Sequence, residues 1–171
     1  DLDKFKLIAD WYHLPILNMT YLRDFDFTPR AIAARLGITS NEAEVAIERL
    51  ERVGMLAKDD SGRYVKTEER FLASSESMSA ALRRYHRQFL EKAIGALETQ
   101  SAAEKINGSE TFAFNQKKIA RAKEITEEYY NKMLALAEEE DGSGPTDVYH
   151  LQVNCFNLTK TNKALALKDV T

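Results

Sequence analysis

Apolar positions recur first at helical spacing. In residues 4–14, Phe5, Ile8, Ala9 and Tyr12 share one stripe, and Leu7, Trp11 and Leu14 widen it. That is the pattern of a helix with a broad buried face. Pro15 then falls inside an apolar pattern that Ile16, Leu17, Met19 and Leu22 continue, so a kink or short break is expected there. Asp24–Pro29 reads as a linker whose end prepares a helix. Thr28 suits the N-cap and Pro29 the first helical position, where a missing N–H costs nothing.

The next forty residues are denser in signals. Arg30–Leu36 predicts a short helix, and Gly37 stands where a positive φ would end it. Thr39, with Glu42 three residues on, predicts a capping box for a second helix. In that helix Ala43, Ala46, Ile47 and Leu50 recur at intervals of 3, 4 and 7, Val53 extends the stripe and Gly54 closes it. Met55–Ala57 and Arg63–Thr67 read as strands around a turn at Asp59–Gly62. Helix, glycine turn, helix and hairpin is the order of a winged helix-turn-helix, here over about residues 28–67.

Beyond a polar stretch at Ser74–Ser77, residues 80–98 predict a helix with Leu82, Tyr85, Phe89, Ala93 and Leu97 on one face. It is long enough to pack against the first helix. Thr111–Phe114 predicts a strand, and residues 116–140 a second long helix with Ile119, Ala122, Ile125, Tyr129, Met133 and Leu136 along its stripe. Residues 148–158 alternate, with Tyr149, Leu151, Val153 and Cys155 on one face. This predicts a half-buried strand pairing antiparallel with 111–114. The fold class expected is α+β: a winged helix-turn-helix with flanking long helices, followed by a helix–strand–helix–strand unit. The expected division is 1–72, 73–160 and a loose tail at 161–171.

Composition narrows the picture. The 171 residues carry 24 Lys+Arg against 27 Asp+Glu, and the apolar set is 44%, the balance of a soluble globular chain of one domain or two small ones. No apolar run approaches the roughly 18 residues of a membrane span. A lone cysteine, Cys155, excludes a disulfide framework and, on the apolar face of its strand, reads as a small buried hydrophobe. The N-terminus has neither a basic nor an apolar leader segment, so a cytoplasmic location is expected. The net charge of −3 supplies no global positive field for phosphate.

The stretches LIADWYHLPIL, IAARLGIT, AIERLERVGML, LRRYHRQFLEKAI, TFAFNQKKI and VYHLQVNCFNLTK resemble the corresponding blocks of a bacterial paralogous family described as transcriptional regulators. Its C-terminal half carries a domain of unknown function. The resemblance covers about residues 4–160, and Pro15 departs from the family pattern. It implies a regulator whose longer members have a further segment upstream of the position of Asp1, but it brings no catalytic or ligand-binding residues.

The candidate DNA contacts are Arg30, Asn41, Arg49, Arg52, Lys58, Arg63 and Lys66. The exposed face expected for the second helix of the motif is Asn41, Glu42, Glu44, Val45, Glu48, Arg49, Glu51 and Arg52. Four glutamates against two arginines is a poor balance among phosphates. Residues 1–75 hold 11 basic and 13 acidic residues, and 76–171 hold 13 and 14, so the half with the motif is the more acidic. A denser basic cluster, Arg83, Arg84 and Arg87 with His86 and Lys92 nearby, is an anion-site candidate. The plainer reading is a solvated face pairing with Glu76 or Glu91. His13, His86 and His150 lack metal-ligand spacing, and no nucleophile elbow, P-loop or dinucleotide motif occurs. No enzyme activity, cofactor or metal is expected. The leading expectation is a component of a bacterial transcriptional regulator, homodimeric, with the C-terminal unit for dimerisation or effector sensing. DNA would be gripped with help from a segment upstream of Asp1. The alternative is a protein-interaction or scaffold module whose winged helix touches no nucleic acid.

Overall fold

The computed structural model describes residues 6, 7, 9–67 and 76–159. Among these lie five α-helices and one two-stranded antiparallel sheet, a mixed architecture compatible with the α+β class. The proposed boundary at 72/73 and the tail at 161–171 fall outside the described residues.

The break in the first apolar stretch comes earlier than Pro15. Residues 6, 7 and 9 are helical, the chain bends and turns through Asp10–Tyr12, and α1 then runs over His13–Met19. Pro15 sits in the first turn of α1, where no helical partner is lost. The interruption is bridged from afar. The Gln88 side-chain amide donates to the Ala9 carbonyl, and its oxygen accepts from the Trp11 amide at 3.3 Å.

Thr28 caps α2 (Pro29–Leu36) by accepting from the Ala31 amide, and Pro29 is the first helical residue. The segment before it is more than a linker, because Phe27 packs on Phe25 and on Tyr64, with ring centres 6.4 and 5.1 Å apart. Gly37 ends α2 at φ 69°, and the amides of Gly37 and Ile38 both return to the Ala33 carbonyl. That left-handed turn is cheap only for glycine. Thr39 and Glu42 then form the capping box of α3 (Ser40–Arg52).

After α3 the chain forms a hairpin of β1 (Leu56–Lys58) and β2 (Tyr64–Lys66), with Leu56 opposite Lys66 and Lys58 opposite Tyr64. The Asp59 carboxylate organises the loop by accepting from the amides of Ser61 and Arg63 and from the Ser61 hydroxyl. The Ser61 hydroxyl, followed by these amides, pulls its pKa down to about 2. α3 is the hub of this half: α1, α2 and β1 pack on it, and β2 closes on α1. Ile16, Ile32, Ala43, Ala46 and Leu50 are wholly buried at the centre. They are the apolar positions whose spacing predicted the elements.

The C-terminal half is built of long, thinly packed pieces. α4 spans Glu76–Thr99, a 3-10 turn spans Gln116–Lys118, and α5 spans Ile119–Glu138. Lys105 closes α4 by donating to the carbonyls of Ala96, Leu97 and Gln100, a cation satisfying orphan groups at a helix C-terminus. α4 does pack on the first segment, with Trp11 edge-on to Phe89 at 6.2 Å and Arg84 bonded to Asp10 at 3.1 Å. The expected strands do not form. Residues 111–114 and 148–158 belong to no sheet, and Cys155 is exposed rather than buried. A strand needs a ladder partner, and no neighbouring strand of the described residues runs beside either segment. Alternation alone therefore overstated the secondary structure here. Residues just ahead of the second segment strap back onto the first half: the Arg23 amide donates to the Pro145 carbonyl, and Arg35 donates to Thr146 and Asp147.

Candidate functional site

The exposed face of α3 carries Asn41, Glu44, Val45, Glu48, Glu51 and Arg52. Glu42 is half-buried, engaged with Thr39, whose amide and hydroxyl lower its pKa. Arg30 is exposed on the first turn of α2, and Lys66 is exposed on β2. Two other candidates are already engaged. The Lys58 ammonium stands 4.9 Å over the Tyr64 ring, and Arg63 bonds Asp59 and Ser61 at the loop tip.

Arg49 is not on this face. It is 7% exposed, and its guanidinium donates at 2.9 Å to Nε2 of His13, which is 0% exposed. The Nδ1–H of His13 in turn donates to the Asp10 carbonyl at 3.1 Å, and Tyr12 stacks on the ring. Both ring nitrogens are thus used only if the ring is neutral with its proton on Nδ1. The correction is physical: at 100° per residue Arg49 lies about 60° from Ala46, at the margin of the buried stripe. Its reach lets it satisfy the one polar acceptor that α1 buries. This pair joins α1 to α3 and is structural.

Burial depresses the His13 pKa below the ordinary imidazole value; the Asp10 hydrogen bond opposes this and the Arg49 charge adds to it. The consequence for stability has a definite sign. Above about pH 6.5 the ring is neutral in folded and unfolded chains alike; below it the unfolded chain takes up the proton first. Stability is therefore expected to fall as pH drops from about 6.5 until the folded ring also protonates. His150, depressed by burial and then by His86, adds with the same sign. Urea unfolding of wild type and His13→Gln at pH 8 and pH 5 checks this, with the variant expected to lose less stability on acidification. An equal loss in both would contradict the assignment to His13.

The basic cluster on α4 is largely occupied. Arg84 binds Asp10, and the Lys92 ammonium sits 3.3 Å over the Trp11 ring, its pKa lowered by burial; the Glu76 side chain lies outside the described residues. Arg83 and Arg87 are exposed, while the His86 ring contacts the Gln152 amide at 3.3 Å. Beside them lies an open cleft of about 220 Å³ lined by His86, Tyr130, His150, Leu151, Gln152, Val153 and Asn154. His150 lies flat on Phe89, with ring centres 3.4 Å apart. Sequence reasoning missed this contact, which forms across 61 positions of chain with no local signal. No helix among the described residues is long and apolar enough to cross a membrane.

Comparison with known proteins adds the family and nothing beyond it. No curated protein and no solved structure gives a significant match. The family model described as a domain of unknown function, DUF4423, matches residues 1–158. Covering nearly the whole chain, both the helix–turn–helix–hairpin half and the long-helix half, this match shows that the protein belongs to the DUF4423 family.

Proposed function

We propose that the chain is a component of a bacterial, cytoplasmic transcriptional regulator, with residues 28–67 as a winged helix-turn-helix. In this reading α2 is the supporting helix, α3 the recognition helix and the β1–β2 hairpin the wing, while the unit from α4 onward joins two copies. The observation that supports it is the arrangement itself. Two helices pack across a turn closed by left-handed Gly37, and a hairpin follows directly. Arg30, Arg52, Lys58, Arg63 and Lys66 are exposed cations on this surface, with Asn41 at the start of α3, where base edges are read.

A second reading, docking of a protein instead of DNA, draws on one specific observation. With Arg49 buried, the exposed face of α3 holds Glu44, Glu48 and Glu51 against Arg52 alone among its arginines. That balance repels phosphate and suits a basic partner surface.

Binding of the whole chain to duplex DNA, compared with an Arg52→Glu/Lys66→Glu variant, separates the two. Under the DNA reading the variant binds more weakly on every sequence, and its salt slope shrinks by about 2. Binding by neither protein favours protein docking, and equal binding by both removes Arg52 and Lys66 from the DNA contact.

A further inference from the structure

We propose that residues 111–114 and 148–158 are strands that pair between two copies of this chain, and that the second copy covers the apolar stripes of α4 and α5. This extends the dimer half of the function proposed above and does not depend on the DNA half.

Three observations carry it. The first is an unmet backbone. Residues 148–158 alternate as a half-buried strand should, yet among the described residues no backbone-to-backbone hydrogen bond engages this segment or 111–114. The Val153 amide instead finds the Tyr130 hydroxyl at 3.2 Å. Unpaired backbone groups beside alternating apolar side chains are the template on which another strand adds.

The second is unpartnered apolar surface. Beyond Phe89, α4 bears Leu90, Ile94 and Leu97 at helical spacing, exposed by 43, 63 and 54%. On α5, Ile125, Tyr129 and Leu136 form another stripe, exposed by 53, 41 and 58%. Rows of large apolar side chains exposed along one face of a helix mark an interaction surface.

The third is area. The chain exposes 13591 Å², whereas a compact monomer of its mass exposes about 8,500 Å². Setting aside the residues outside the described set at full unfolded exposure, the rest still exposes about 1,700 Å² more than a compact body of its own mass. That is the scale of an obligate homodimer interface.

The occupant that fits is a second copy. The two segments lack the same thing, a strand neighbour, and an exchange about a two-fold axis supplies it to both with one self-complementary surface. A net charge of −3 per chain opposes such association only weakly.

Sedimentation mass and amide hydrogen exchange on the whole chain test this. Wild type is expected at twice 19.4 kDa, with exchange in 149–158 slowed at least about tenfold relative to an unstructured segment. The Ile94→Asp/Ile125→Asp variant is expected at the monomer mass, with fast exchange in 149–158 and undiminished protection of α3, which shows that the first half stays folded. A wild-type mass of 19.4 kDa at all concentrations, protected strands included, overturns the second copy as occupant. A dimer whose 149–158 amides exchange at the unstructured rate overturns the strand pairing. A dimer that fails to bind DNA leaves this proposal standing and removes only the DNA half of the regulator reading.

Discussion

Arg49→Glu is expected to destabilise the first half of the protein by about 3–5 kcal/mol, from a lost hydrogen bond to a charged donor together with a carboxylate buried without a cation. Arg52→Glu, one turn away, is expected to change stability by no more than about 1 kcal/mol. Both are arginines of one helix whose removal from a DNA surface would look alike. They differ in what surrounds them: Arg49 is 7% exposed and donates to the buried Nε2 of His13, while Arg52 is exposed. A carboxylate at 49 brings an unpaired charge into the core and leaves His13 without its donor, each a cost in the same direction. Urea unfolding at pH 8 measures the difference. A fully stable Arg49→Glu protein would show that the His13–Arg49 bond does not hold α1 to α3.

Leu50→Ala is the other large effect expected, a loss of about 2–5 kcal/mol. Leu50 is wholly buried on α3, the helix against which α1, α2 and β1 all pack. The loss combines the transfer energy of the deleted carbons with a cavity that packed helices cannot fully close. Val45→Ala on the same helix, 38% exposed, is expected to cost well under half as much. The midpoint should move with the denaturant slope unchanged, because the same surface unfolds in each protein. A Leu50→Ala midpoint equal to that of Val45→Ala would refute α3 as the hub.

The first half of the chain was legible because its signals are local and mutually consistent. Thr28, Pro29, Gly37, Thr39 and Glu42 each fix a helix end through atoms a few residues away, and the apolar spacing between them leaves one packing. Arg49 escaped that logic, since a charged residue at the edge of a stripe is read as surface until its partner is known. His13 lies 36 positions away and announces itself only through its place among apolar neighbours. The two long helices of the second half form where their stripes predict them, but its strands were misread for the opposite reason. Alternation at 148–158 reports which side chains want cover, and sheet formation also needs a neighbour that this chain does not place alongside. Cys155 follows from the same cause: a residue assigned to a buried face is exposed when the face has nothing against it. The His150–Phe89 stack and the Gln88 bridge to Ala9 and Trp11 join distant segments and leave no periodic trace.

The most direct test of the regulator reading is the salt dependence of wild-type binding to duplex DNA. Between about 50 and 200 mM salt, log K is expected to fall linearly with log salt, with a slope near −0.9 for each phosphate neutralised. No binding at the lowest salt, or a slope near zero, would contradict it and leave α3 as a protein-docking surface.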